Sequence, residues 1–264
     1  MKKHGVGMTE YEAAEYLDNL RAEVNGFKGL SFPTISAYGS NAAMMHYEAK
    51  KDACAVIEDR GFLLVDSGGQ YLGATTDVTR TIAMGQLSEE EIQYFTLVAA
   101  GMLRLQNAVF MDGCTGRNLD ILARQLLWER GVDYKCGTGH GVGCYLNVHE
   151  GPHSIRWRYV KDIVETVLKE GMVVTDEPGV YLQDKMGIRT ENVLLIKKKE
   201  QNSDGTFLVF EPLTFVPIDL EAIDISYMEK SDVLKLNEYH SLVFDKIAPY
   251  LYQEEREWLR KVTR

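Results

Sequence analysis

Asp66, Asp77, His140, Glu177 and Glu191 are of the residue types that hold divalent cations, and each stands in a setting unlike that of an ordinary surface residue. Asp66 and Asp77 lie eleven positions apart in Asp66-Ser-Gly-Gly-Gln-Tyr-Leu-Gly-Ala-Thr-Thr-Asp77, each at the edge of a stretch rich in β-formers. A hairpin of that length can bring both carboxylates to one point, because its arms pair across ~5 Å. Asp beside Gly is also ordinary turn chemistry, so this pair alone decides nothing. His140 is embedded in Gly137-Thr-Gly-His-Gly-Val-Gly, without the G-K-[ST] of a phosphate loop. Glycine at every second position implies backbone crowding around an imidazole aimed at something, the alternative being a satisfied core histidine. Glu177 sits in Asp176-Glu-Pro-Gly, and Glu191 in Arg189-Thr-Glu-Asn between apolar residues of a strand. A carboxylate there needs a partner, which either a metal ion or Arg189 could supply.

Four carboxylates and one imidazole make the ligand set of a site for two divalent ions with shared, bridging carboxylates. Oxygen-rich ligation with a single histidine favours Mn²⁺ or a similar hard ion. Two such ions can hold one hydroxide between them and polarise a carbonyl, which is hydrolytic chemistry. A competing motif, His149-Glu-Gly-Pro-His153, matches the zinc-protease pattern H-E-x-x-H. That pattern needs a helix to place both histidines on one face, and Gly151 and Pro152 oppose a helix there.

These residues need elements to hold them. Residues 8–24 are expected to be helical, with Thr9 and Glu12 as a capping box and Ala13, Tyr16, Leu17 and Leu20 at helical spacing. A second helix starts at Ser88, with Glu91 as capping partner, and continues to Leu105. A third runs from about Asn118 to Arg130, closed by Gly131. Strands are expected at Ala55–Ile57, Phe62–Asp66, Val78–Met84, Met172–Thr175, Ile188–Ile196 and Phe207–Phe215, and helices at 231–247 and 252–263. Strands and helices come in groups instead of strict alternation, which reads as α+β. The charge run Lys197 to Glu200 reads as a strand end and turn.

The chain of 264 residues suits one large domain or two small ones. Its net charge of −10 argues against non-specific nucleic-acid binding, for want of a cationic field. Cys54, Cys114, Cys136 and Cys144 are too few and scattered for a disulfide framework and form no C-x-x-C pair, so reduced thiols in a cytoplasmic protein are expected. No apolar run of ~18 residues suggests membrane insertion.

Taken in order, these segments resemble the metallopeptidase family with the pita-bread fold, and within it the cytosolic type of aminopeptidase P. The resemblance is carried by Asp66-Ser-Gly-Gly-Gln-Tyr, Thr76-Asp-Val-Thr-Arg-Thr, Gly137-Thr-Gly-His-Gly-Val-Gly, Leu146-Asn-Val-His-Glu-Gly-Pro and Ile188-Arg-Thr-Glu-Asn. Pro217-Ile-Asp-Leu-Glu-Ala-Ile-Asp and Leu236-Asn-Glu-Tyr-His extend it, so that it covers residues 5–263. It implies an α+β pita-bread domain, a curved antiparallel sheet covered by helices, over 1–264 with a helical extension over about 217–264. The N-terminal domains usual in relatives would be absent from this chain.

The resemblance also implies roles. Asp77 and Glu191 would bridge two divalent ions, Asp66 would complete one shell, and His140 with Glu177 the other. The ions would be Mn²⁺, with Co²⁺ or Zn²⁺ as alternatives. Glu177 would act as general base and then acid, His149 would stabilise the tetrahedral intermediate, and His46 would stand near the scissile region. Tyr181 and Arg189 would line a proline-side pocket. Many relatives carry a histidine where this chain has Cys136. The implied reaction is hydrolysis of the N-terminal Xaa-Pro bond of peptides, with no nucleic-acid or membrane partner and with a homodimer allowed. A prolidase-like Xaa-Pro dipeptidase, a weakly active catalytic fragment and a non-catalytic peptide-binding module are the alternatives.

Overall fold

The computed structural model describes residues 2, 4–145, 147–161 and 165–264; Leu146, in one of the motif stretches, lies outside the described residues. Local capping chemistry starts the first two long helices. In α1 (Glu10–Ala22) the Thr9 hydroxyl accepts from the Glu12 N–H, and the Glu12 carboxylate accepts from the Thr9 N–H at 2.8 Å. Six short strands follow: β1 (Phe27–Leu30), β2 (Ile35–Tyr38), β3 (Phe62–Ser67), β4 (Gly69–Tyr71), β5 (Ala74–Thr75) and β6 (Val78–Ala83). Ser88 and Glu91 form the same reciprocal box at the start of α2 (Glu89–Gln106). Then come β7 (Val109–Met111), α3 (Gly116–Trp128), β8 (Gly139–Val142), β9 (His149–Ile155) and β10 (Val173–Asp176). The chain continues through β11 (Gly179–Leu182), β12 (Met186–Arg189), β13 (Asn192–Asn202) and β14 (Gly205–Pro212), and closes with α4 (Lys230–Ile247) and α5 (Gln253–Val262).

The strands pair antiparallel throughout, as an α+β reading requires. The largest sheet runs β7-β14-β13-β10-β8-β9, and smaller ones run β2-β3-β6, β1-β4-β5 and β11-β12. Helix α2 lies at the centre of the main core, where Phe95, Val98, Met102 and Leu103 meet Phe62 of β3, Leu127 of α3, and Leu236 and Val243 of α4. A second cluster, including Leu105, Ala123, Val174, Leu194 and Phe210, seals the six-stranded sheet against α2 and α3. Each fully buried Leu or Phe contributes roughly 1.5–3 kcal/mol relative to exposure.

Four expectations need correction. Ala55–Ile57 is not a strand: it makes an isolated bridge between Val56 and Thr9, and its backbone is taken up by Gly7, Met8 and Glu10 at the entry to α1. The single strand expected over Ile188–Ile196 is two. Thr190 donates its N–H to Pro178 O and Glu191 donates to Thr79 O, so the chain steps between sheets where β12 ends and β13 begins. The third helix begins at Gly116, because Asn118 serves as the capping partner of Thr115 and does not start the helix. The run Lys197–Glu200 is not a strand end and turn but lies in the exposed half of β13, which continues to Asn202, with Lys197 paired to Glu211 at 2.9 Å.

Two buried hubs fix the walls of the site. The Glu10 carboxylate accepts from the N–H groups of Tyr38 and Ala55, the Asn41 amide and the Tyr47 hydroxyl, pinning the loop that carries His46. The Arg80 guanidinium, on β6, donates to Thr79 O (2.8 Å), Asn192 Oδ1 (2.7 Å), Val216 O (2.7 Å), Pro217 O (3.1 Å) and the Tyr239 hydroxyl (2.8 Å), and also to Glu191 O. It ties the C-terminal extension to the strands bearing Asp77 and Glu191.

Candidate metal centre and active-site cleft

The β3–β6 pairing sets Asp66 opposite Thr79, so the two aspartates of the first segment share one end of a hairpin. His140 comes from β8, whose alternate glycines answer to close approach of neighbouring chains. A Cβ at Gly139 would lie 1.9 Å from Thr175 O, and one at Gly141 would lie 2.0 Å from Glu150 O. No residue but glycine fits at either place. β8 is thereby pressed between β9 and β10, and Thr175 Oγ1 accepts the His140 N–H at 3.0 Å. The same hydroxyl donates to Glu177 Oε1 at 3.0 Å. Thr79 Oγ1 donates to Glu191 Oε2 at 2.8 Å.

The five side chains converge. His140 Nε2 lies 3.3 Å from Glu177 Oε1 and 3.6 Å from Asp77 Oδ2. Ligand atoms of Asp77, His140 and Glu191 all lie within 4.8 Å of one another. Asp66 stands at the edge of this group, with Oδ2 accepting from Arg189 Nη2 at 2.6 Å. Arg189 therefore pairs with Asp66 and not with Glu191, since the chain step at Thr190 parts it from its neighbour in sequence. Its Nη1 donates to the Tyr181 hydroxyl at 2.9 Å and its Nε to Thr79 Oγ1 at 3.1 Å.

The electrostatics are those of a cation site. Burial, then Asp66 and Glu177, push the Asp77 carboxyl up to about 9. Burial pushes Glu177 up to about 7, with Arg189 opposing, and drives Glu191 well above the carboxylate range, with Asp77 adding to the effect. Burial holds the imidazoles of His140 and His149 below their ordinary value, the state in which a ring nitrogen can ligate or accept. Asp66 Oδ1 and Glu191 Oε1 are buried without a hydrogen-bond partner among the described residues. Buried carboxylate oxygens seldom stay unpartnered, and a divalent ion satisfies them and reverses the mutual repulsion. The residues present thus fit a metal centre.

A cleft of about 660 Å³ opens over this group. His46, Tyr181, Arg189 and Cys136 all line it, and His149 packs its ring against His140, with centroids 4.1 Å apart. Burial lifts the Cys136 thiol to about 11, so it is a neutral wall. The H-E-x-x-H segment is strand β9, so it lacks the helical turn that would set both histidines side by side on one face. Both histidines line the cleft, His149 against the His140 ring and His153 with its Nε2 on Val173 O at 2.7 Å.

A model of metallopeptidase family M24 matches residues 1–198, and one of the C-terminal region of peptidase M24 matches residues 206–264. The chain belongs to metallopeptidase family M24. It is 45% identical over 259 residues to aminopeptidase P1 of Arabidopsis thaliana, covering 97% of this chain and 40% of that protein. It is 44% identical over 263 residues to a probable Xaa-Pro aminopeptidase P of Laccaria bicolor, covering 98% and 41%. Among solved structures it superposes with a TM-score of 0.90 and 38% identity on the X-prolyl aminopeptidase of Caenorhabditis elegans, described as a cytosolic enzyme with a di-nuclear active site, covering 97% and 42%. The prolidase of Pyrococcus furiosus matches with a TM-score of 0.65 and 32% identity, covering 77% and 55%. The M24 chain therefore has the pita-bread fold and spans about two-fifths of the length of its aminopeptidase P relatives.

Several members of this M24 site are not apparent from residue type alone. Thr79 and Thr175 orient Glu191, Glu177 and His140, and their sole sequence signal is a hydroxyl inside a strand beside an acid. Among the described residues no helix is long and apolar enough to cross a membrane.

The carboxylate cluster makes a measurable demand on the metal-free protein. Asp77 rises from 3.8 to about 9 and Glu177 from 4.5 to about 7, so the folded state binds more protons than the unfolded state across that window. Their contribution to stability is then full below about pH 4 and is lost as pH rises towards 7 to 9. Chelator-treated protein should show a melting temperature that drops between pH 5 and pH 8, and Mn²⁺ should reverse the drop. A flat profile without metal would contradict the repulsion.

Proposed function

We propose that this chain carries the catalytic activity of an Xaa-Pro aminopeptidase, releasing the first residue of a peptide whose second residue is proline. The observation that carries the reading is the convergence of Asp66, Asp77, His140, Glu177 and Glu191 at the base of one cleft that His46, His149, Tyr181 and Arg189 also line. Identity of 43–45% to proteins named for this activity supports it.

In this reading Asp77 and Glu191 would be shared between two divalent ions, Asp66 would help to hold one of them, and His140 and Glu177 the other. The hard, oxygen-rich donor set would favour Mn²⁺, with Co²⁺ or Zn²⁺ as alternatives. When bound they supply Lewis acidity towards the scissile carbonyl and a nucleophilic water near neutral pH. Glu177, held by the Thr175 hydroxyl, would take the proton of the attacking water and return it to the departing proline nitrogen. His149, against the His140 ring, would donate to the oxygen that gains charge, and His46 would stand near the scissile region. Phe32, Ile35, Tyr181 and Cys136 give a largely apolar lining suited to a pyrrolidine ring. A cytoplasmic location fits the free cysteines and the cytosolic relative.

Mn²⁺-loaded protein incubated with Xaa-Pro-Yaa peptides should release the first amino acid. Full metal occupancy with no release from any such peptide would overturn the assignment for this chain. Cleavage of Xaa-Pro but not of Xaa-Pro-Yaa would favour the prolidase-like alternative.

A further inference from the structure

One cation of the cleft has no part in the chemistry above. Arg156, directly after β9, lines the cleft and also lines the shallow groove that leaves it past Pro152 and Ser154. The β8–β9 register sets Ser154 opposite His140. The ladder continues one step further, with Thr138 N–H donating to Ile155 O at 2.8 Å. Ser154 and Arg156 therefore share the face that looks onto the ligand histidine. Arg156 borders Gly137, since a Cβ there would lie 3.8 Å from the Arg156 Cβ, which puts it beside Cys136 on the proline side of the site.

Its guanidinium is oriented but not consumed. The Nε donates to Ser154 Oγ at 3.0 Å, and this is its one side-chain hydrogen bond among the described residues. The side chain is half-buried, so its charge is less screened than that of a fully exposed arginine. The other charges of the region are differently placed or engaged. Arg189 is committed to Asp66 and Tyr181, Arg117 to Glu165 at 2.9 Å, and exposed Arg158 to the face of Trp157. Of the acids lining the cleft, Glu150 lies beside Gly143, at the far end of β8, and Glu48 belongs to the His46 loop. The cleft is thus polarised, with an arginine fork at its proline-side exit in a chain whose net charge is −10.

Resting on the aminopeptidase reading, we infer that Arg156 is a specificity determinant that binds a carboxylate on the residue following the proline. A planar guanidinium whose two Nη groups have no partner among the described residues suits bidentate pairing with a carboxylate. Two sources offer that chemistry: the free C-terminus of a tripeptide, or an acidic side chain at the third position of a longer one.

Calorimetric titration of the Mn²⁺-loaded Glu177→Gln protein reads binding without turnover. The probes are Ala-Pro-Ala acid, Ala-Pro-Ala amide and Ala-Pro-Glu amide. The acid should bind about 10-fold more tightly than the amide. Arg156→Gln in the same background should bring the two to within twofold of each other, and Arg156→Lys should keep part of the difference. Tighter binding of Ala-Pro-Glu amide as well would include the acidic side chain, whereas equality with Ala-Pro-Ala amide would limit the site to the C-terminal carboxylate. Equal affinity for acid and amide before the substitution, a preference that survives Arg156→Gln, or no binding of any probe would each overturn the inference. Failure of the wild-type protein to cleave these peptides while the preference persists would instead sink the catalytic reading and leave the subsite standing.

Discussion

Glu191→Ala and Asp77→Ala should each abolish turnover and lower metal content to near zero, not to one ion per chain. Both carboxylates are almost fully buried, and their ligand atoms lie together with that of His140. Glu191 has one oxygen held by Thr79 and the other unpartnered among the described residues, as a residue poised to share two ions would. Removing a shared ligand weakens both positions, whereas removing Asp66 should weaken mainly one. The same substitution also relieves repulsion. Without metal, Glu191→Ala should therefore lose less stability between pH 5 and pH 8 than the wild-type protein does. Metal analysis of the purified variants decides the matter, and one ion held at full occupancy in either would contradict the bridging assignment.

Glu177→Gln should show the other large effect, with the opposite balance between metal and rate. Glutamine keeps the shape and can still meet the Thr175 hydroxyl, so a substantial share of the metal should remain. What it cannot do is accept and return a proton as a carboxylate does. General acid–base work of this kind is worth ~10²–10⁴-fold. Turnover of Xaa-Pro-Yaa peptides should fall by that factor while metal content falls several-fold at most. A rate within tenfold of wild type at equal occupancy would remove Glu177 from the proton path.

Much of this architecture was legible because it is local. The capping boxes at Thr9 and Ser88 involve residues three apart, and both form as their spacing implies. The glycine alternation around His140 told of backbone crowding, and the approach of Thr175 and Glu150 is that crowding. What failed were inferences across a step that only the tertiary structure makes. Arg189 and Glu191 are neighbours in sequence, yet the chain changes sheets between them and Arg189 finds Asp66 instead. Ala55–Ile57 has strand composition, but its backbone is claimed by the entry to α1 and by Glu10. Glu10 itself was illegible as a hub because its donors come from positions 38, 41, 47 and 55, with no spacing to mark them. Arg156 was silent for a similar reason, since its place at the cleft depends on the register of β9.

The Arg80 hub bears on how the molecule comes apart. Its six acceptors are drawn from β6, the Thr190–Asn192 step, the segment at Val216–Pro217 and Tyr239 of α4. Val216, Pro217 and Tyr239 lie beyond residue 206, where the second family region starts, and Arg80 lies within the first. Freeing the extension would strand a buried guanidinium and loosen the backbone of Glu191 at once. The two regions should therefore open as one cooperative unit: amides of α4 and of β6 should exchange with solvent through the same opening, and truncation at the family boundary should disorder the catalytic strands along with the helices it removes.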